Sequence, residues 1–479
     1  MSVPEDLKYH SPIFNKRGET LVWLLLISLS VLIRYAISIH PYSGHAKPPM
    51  FGDYEAQRHW MEITTKLPTS EWYFNTTNND LQYWGLDYPP LTAYSSWLFG
   101  KIGEKVEPES MALYTSRGYE SKSSKLFMRS TVIVSDLLIW LPAVLFFVQT
   151  FYKEQSLLKR SIAFIFISMQ PSLLLIDHGH FQYNGISLGF ALFGITFILR
   201  NQQLLASLFF VLSLNYKQMS LYYSPAFFFY LLFTNLSFSN IFKSILNIAK
   251  IGIVVITTFI ICWIPFLSLE QASQVLFRLF PVARGLFEDK VANFWCVAST
   301  VINFKTKFSP EQLLKLCTLT TLAAISIIVY PLIKKCWSAN LKSNWKVVMY
   351  RSQQLMFIYS LIISAFAFFL FSFQVHEKTI LLPLLPVSLL VLESGYITII
   401  LMLVSHYLFE FIEPPVHLPA LFHLLVASIS FGYFCLTVLG PARCLSKKCV
   451  PKNARCSSPP TKPRCRPDYN LVTFISDPN

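Results

Sequence analysis

The chain has 479 residues, 53% of them hydrophobic, and only 14% charged, against about 25% in an ordinary soluble domain. With mean hydropathy of +0.45 it lacks the polar surface of a soluble enzyme, a disordered chain or a nucleic-acid module. Lys+Arg 40 against Asp+Glu 26 nevertheless leaves +14, and in a membrane protein such an excess reports orientation.

A spanning helix needs roughly 20 mostly apolar residues, because the hydrocarbon core is about 30 Å thick and each helical residue rises about 1.5 Å. Long runs lie at 20–39, 131–151, 251–268, 316–333, 355–375 and 418–440. Shorter ones lie at 161–176, 185–199, 203–214, 219–233, 380–393 and 396–412. The expectation is an all-α polytopic protein of about 12 transmembrane helices, some broken around a protein-lined cavity. Lys16 and Arg17 precede the first run, which favours a cytosolic N-terminus. Alternation then puts 152–160 and 334–351 in the cytosol, the second with Lys334, Lys335, Lys342, Lys346 and Arg351 and no acid. It also puts the C-terminus there. The tail 441–479 holds eight Lys/Arg and two Asp, is rich in Pro and Cys, and is expected to be disordered. Residues 1–440 form one membrane domain. Its opposite side receives 40–130, 269–315 and short turns at 177–184 and 376–379. Asn75-Thr76-Thr77 in the first of these is a glycosylation sequon. The nine cysteines show no paired metal spacing. Nothing in the sequence sets an oligomeric state.

The loop 40–130 opens with Gly52-Asp53-Tyr54-Glu55-Ala56-Gln57-Arg58-His59-Trp60. Asp53 has two readings: a helix N-cap, or a general base taking a proton from an attacking hydroxyl. Asp53-x-Glu55 could hold a divalent cation, but alternate residues on a helix diverge. Downstream, the stretch 75–90, with Asn75, Asn78, Asn79, Asp80, Gln82, Tyr83, Trp84, Asp87 and Tyr88, combines aromatic faces with carboxylates and amides, the groups that recognise sugars; the same composition suits an interfacial aromatic belt. Arg284 and Lys290 in the second loop, and His376-Glu377-Lys378 in a tight turn, could meet a phosphate or simply snorkel. Asp177-His178-Gly179-His180 holds two histidines with no further zinc ligand in view. Arg34 and Asp136 lie inside spans and are expected to pair.

The blocks at 52–60, 81–90, 178–184, 278–295 and 376–378 together resemble the endoplasmic-reticulum dolichyl-phosphate-glucose glucosyltransferases, multispan enzymes of the GT-C architecture. The likeness covers about 20–440. Within that family, Gly-Asp-Tyr-Glu-Ala-Gln-Arg-His at 52–59 and Phe-Glu-Asp-Lys-Val-Ala-Asn-Phe-Trp at 287–295 are similar to the branch that adds the first α-1,3-linked glucose to the nine-mannose lipid-linked glycan. A sibling branch adds the second. The resemblance implies an inverting transfer from dolichyl phosphate glucose to Man9GlcNAc2-PP-dolichol, without a metal cofactor. It implies Asp53 as base, His376 as a donor-phosphate contact with Lys378 and Arg284 beside it, and Glu55, Arg58, Trp84, Asp87 and Tyr88 on the acceptor sugar. A lipid transporter is the alternative from another class, but it calls for ionisable residues at mid-bilayer on several helices.

Overall fold

The computed structural model describes residues 16–237, 239–280, 291, 293–299, 301–340 and 350–393. Every described element is helical, and no strand occurs among these residues. The ten apolar runs between 20 and 393 all carry helix; the runs at 396–412 and 418–440, the tail, Arg284 and Lys290 lie outside the described residues. Five helices are long and apolar enough to cross a membrane, six counting one bent pair. Two shorter apolar helices, Asn184–Leu199 and Gln203–Tyr216, add to these, and the count of about 12 is not confirmed among the described residues.

In chain order the first segments are α1 (Lys16–Ser38), α2 (Gly52–Lys66), α3 (Pro90–Val106), α4 (Lys122–Phe151), α5 (Leu157–Ser168) and α6 (Pro171–Phe181). They continue with α7 (Asn184–Leu199), α8 (Gln203–Tyr216), α9 (Ser224–Asn235), α10 (Ile241–Trp263), α11 (Leu269–Leu279), α12 (Pro310–Asn340), α13 (Tyr350–Phe371) and α14 (Leu381–Ser388). Capping sets boundaries that hydropathy misses. Helix α4 begins nine residues before the apolar run, because Ser121 accepts from the Ser124 backbone N–H at 2.9 Å. Asn240 does the same for Lys243 at 2.9 Å and starts α10 early. The bent pair is α5 and α6, which meet at 44° where Gln170-Pro171 interrupts the backbone ladder.

The largest core joins α4, α5, α7, α9, α13 and α14 through residues such as Trp140, Phe147, Phe164, Leu192, Phe357 and Leu385, all fully buried. Helix α10 instead exposes Ile245, Ile253, Ile256, Ile260 and Ile261, an apolar face suited to lipid. The loop 40–121 has its own packing. Tyr42 stacks on Tyr54 with centroids 3.8 Å apart, and Trp60, Ile63, Trp72, Tyr73 and Leu86 form a second small core. Helix α11 closes over it: Gln274 donates to the Tyr73 carbonyl at 2.8 Å and Arg278 to those of Gly85 and Leu86 at 2.8 and 3.1 Å.

The loop ends sort into two groups, as alternation requires. At one end Tyr152 donates to the Leu389 carbonyl at 2.7 Å, Gln354 to that of Leu199 at 3.0 Å and Arg351 to that of Phe151 at 2.9 Å. At the other, residues 53, 180–184, 217 and 378 meet. Inside the bundle the expected pair is present: Arg34 Nε lies 2.7 Å from Asp136 Oδ2, with both side chains buried. His178 Nε2 shares the same oxygen at 2.9 Å. Gly185 packs against that carboxylate with no room for a Cβ.

Candidate functional site

Asp53 lies in the first turn of α2 and is not its cap: Phe51 occupies the cap position and no side chain bonds there. Phe51 and Gly52 both adopt positive φ, 56° and 68°, so the chain turns sharply before the helix starts. That turn presents Asp53 to three donors from distant segments. His180 Nε2 lies 2.9 Å from Asp53 Oδ2, and Gln182 Nε2 donates to it at 2.7 Å. The Lys378 ammonium completes the set. All three converge on Oδ2; among the described residues, Oδ1 accepts no bond. Burial alone would raise the Asp53 carboxyl, but the His180 bond and the Lys378 charge outweigh it and hold the group well below the usual carboxylate range. Asp53 is a carboxylate at any physiological pH, with its side chain still 20% exposed.

The donors are positioned by strain and by anchoring. Phe181, between His180 and Gln182, has φ 96°, an unfavourable backbone for a residue with a Cβ. Its ring is fully buried and packs edge-on to Tyr183 at 5.6 Å. The twist is what lets two neighbouring polar side chains reach one carboxylate oxygen. Arg129 of α4 fastens the turn from behind, donating to the carbonyls of His178 and, at 2.9 Å, Gly179. The last stretch of α6, Leu175–Phe181, is wound as a π-helix, a form that inserts an extra residue per turn and is frequent at functional sites.

Lys217, in the turn after α8, is 3% exposed. It donates to Gln182 Oε1 at 3.0 Å and to Asn184 Oδ1 at 2.8 Å, and its ammonium sits 4.6 Å from the Tyr88 ring centroid. Burial pulls it down to about 8 against the opposing pull of Asp177. Beside it a narrow cleft is lined by Lys217, Lys378, Leu188, Met219, Leu381 and Leu382, with Ser187 and Ser220 on its polar wall. The cleft sets two cations beside apolar side chains and has room for little more than a water molecule. His376 Nδ1 lies 3.2 Å from the Lys378 backbone nitrogen and 3.3 Å from Glu377 Oε2.

The sequence-derived candidates divide. Asp53, Lys378, Asp87 and Tyr88 come together around Lys217, Asp87 through its charge and Tyr88 through its ring. Glu55 and Arg58 are corrected: they cannot touch a sugar, because they are 1% and 0% exposed. Arg58 grips Glu55 through two bonds of 2.7 and 2.6 Å and reaches Glu62 at 2.8 Å, while Tyr83 donates to Glu55 at 2.8 Å. This fully paired network holds the loop together. It also removes Glu55 from any cation shared with Asp53, and no cluster of metal-binding side chains occurs among the described residues. Trp84 braces the loop, donating to the Met50 carbonyl at 2.6 Å and accepting from Trp60 at 2.8 Å. The two histidines of 177–184 face different carboxylates, His178 that of Asp136 and His180 that of Asp53. His180, Gln182 and Lys217 are the residues to which the sequence pattern assigned no role; the signal for Lys217 was a charged turn splitting two apolar runs on the side of Asp53.

Residues 25–407 match the ALG6, ALG8 glycosyltransferase family. The chain belongs to this family. Among its relatives, a protein of Dictyostelium discoideum named Probable dolichyl pyrophosphate Man9GlcNAc2 alpha-1,3-glucosyltransferase is 66% identical over 374 residues, 77% of this chain and 69% of the relative. Proteins of Gallus gallus and Rattus norvegicus named Dolichyl pyrophosphate Man9GlcNAc2 alpha-1,3-glucosyltransferase are 46% and 44% identical. Those matches cover 80% and 81% of this chain, and 73% and 74% of the relatives.

Proposed function

We propose that this protein is an inverting glucosyltransferase of GT-C architecture. It moves glucose from dolichyl phosphate glucose to the terminal mannose of Man9GlcNAc2-PP-dolichol, forming an α-1,3 linkage at the lumenal face of the endoplasmic-reticulum membrane, with both termini cytosolic. The observation that carries the reading is Asp53, fixed through Oδ2 by three donors and open at Oδ1. The family and the names of its members supply the substrate class.

The chemistry follows from charge and geometry. A donor with a β-linked glucose and an α-linked product require a single displacement with inversion. The acceptor hydroxyl gives its proton to Asp53 Oδ1 as its oxygen attacks the anomeric carbon. The bond from that carbon to the phosphate oxygen breaks, and the lipid phosphate leaves with the electron pair. Its charge is met by Lys378 and His376, with Arg284 as a further cation from the second loop. Lys378 contacts Asp53 and also lines the cleft beside Lys217. Asp87 and Tyr88, which lie by Lys217, and Trp84 are assigned to the acceptor sugar. No metal is assigned a part.

The test is transfer by the purified protein in detergent, supplied with dolichyl phosphate glucose and either the nine-mannose lipid or its one-glucose form. Glucose added to the nine-mannose lipid, at full rate in excess chelator, is the expected result. Glucose added only to the one-glucose lipid would assign the protein to the sibling branch. Lipid flux in proteoliposomes without any transfer would make it a transporter.

A further inference from the structure

Lys217 is a costly residue to bury. Its ammonium is 3% exposed and, among the described residues, bonds to two neutral amides and to no carboxylate. A Met of similar length would fill the same space without the desolvation cost. What the lysine does is visible in how the two amides are turned. Gln182 points its oxygen at Lys217, 3.0 Å away, and its nitrogen at Asp53 Oδ2, 2.7 Å away. Asn184 points its oxygen at Lys217, 2.8 Å away, and its nitrogen at Asp177 Oδ1, 2.7 Å away. An ammonium offers only donors and a carboxylate only acceptors, so each amide has a single allowed orientation. Without the cation, no other donor among the described residues holds the Gln182 oxygen, and the amide that donates to Asp53 is free to rotate away.

We infer that Lys217 is a positioning residue for the base: it locks the Gln182 amide, which in turn fixes Asp53 Oδ2 and aims Oδ1 at the acceptor hydroxyl. This rests on Asp53 being the base. The charged groups acting on Lys217 are Asp177, Lys378, Asp53 and Asp87: burial and Lys378 pull it down, and the three carboxylates oppose them. The same lysine lines the cleft, so direct contact with the donor phosphate is the competing role, and kinetics separates the two.

The experiment uses the full chain in detergent with both lipid substrates, comparing Lys217→Met, Gln182→Leu and the double variant. Misplacing a catalytic group by about 1 Å costs on the order of 100-fold, so each single variant should lose roughly 10- to 100-fold in kcat. KM for both lipids should stay within about threefold, and the double variant should be no worse than Gln182→Leu alone. Losses that multiply in the double variant, or a raised donor KM with kcat intact, would overturn the proposal. If Lys217→Met does not fold, Lys217→Arg and Lys217→Gln carry the test. Arg keeps a donors-only head and should hold most of the activity, whereas Gln can turn its oxygen to Gln182 and should lose at least about 10-fold. Equal losses in the two would count against the idea. A wild-type protein that transfers no glucose overturns the function above and this inference with it; transfer with multiplying losses overturns this inference alone.

Discussion

Asp53→Asn separates the chemistry from the scaffold. The amide is nearly isosteric, and its oxygen can still accept from His180 and Gln182 in the place of Oδ2. Two things go: the negative charge facing Lys378, and the capacity to take a proton. The first is a cost in stability. Asp53 and Lys378 side chains are 20% and 13% exposed, so one charge-assisted contact is lost at a mostly buried site, worth about 1.5–3 kcal/mol. The second is a cost in rate. Removing a positioned base slows turnover about 10²- to 10⁴-fold, which corresponds to about 3–5.5 kcal/mol of barrier. The two are read separately. Melting of the purified protein in detergent reports the first, and kcat for glucose transfer at saturating lipids reports the second. KM should change little, because the substituted group acts on the transition state. A variant that melts within a few degrees of wild type yet keeps more than about a tenth of its kcat would refute the assignment of Asp53 as base.

Four further outcomes are expected. Lys378→Met removes a charge that holds the Asp53 carboxyl low, so the acid limb of kcat/KM should move to higher pH while the donor KM rises; an unmoved limb would mean that the two groups do not interact in solution. Arg58→Met leaves Glu55 and Glu62 buried without their partner and should cost about 3–5 kcal/mol, seen as lower melting and yield, with near-normal kcat in whatever folds. Glu62 is held down at about 2, below its ordinary 4.5 by His59 and Arg58 in spite of burial. Its stabilising contribution is therefore complete above pH 4.5 and lost as pH falls from 4.5 to about 2, and Glu62→Gln should flatten the melting profile across that window. Phe181→Gly relieves a φ of 96° but frees the turn that carries His180 and Gln182, so kcat should fall while both KM values hold; an unchanged kcat would show that the twist is not needed.

Much of the plan was legible in the sequence, and the reasons for the remainder are specific. Hydropathy found the helical runs because lipid demands about 20 apolar residues in a row, yet it could not see that Ser121 and Asn240 start α4 and α10 early. Asp53 and the His376–Lys378 turn stood out as polar groups on one side of an apolar chain. Glu55 and Arg58 stood out in the same way and were misread. A carboxylate and a guanidinium three residues apart look alike whether they face a ligand or bury against each other. The deciding partner, Tyr83, lies 28 residues further on. Arg34 and Asp136 were paired correctly because unpaired ions inside a bilayer are too expensive to leave alternatives. Lys217 escaped notice because its importance lies in the orientation of two amides, which no pattern of residue types records.

The contact between Asp53 and Lys378 joins residues 325 positions apart. Synthesis at about 5–20 residues per second separates their emergence by roughly 16 to 65 s. In that interval His180 and Gln182 emerge and can reach Asp53, but Lys378, the third of its donors, is not yet made. The growing chain thus passes most of its synthesis without the cation that completes the Asp53 site. Activity measured on ribosome-bound chains of increasing length should appear abruptly, once the turn after α13 has been inserted, rather than grow in proportion to the helices already in place.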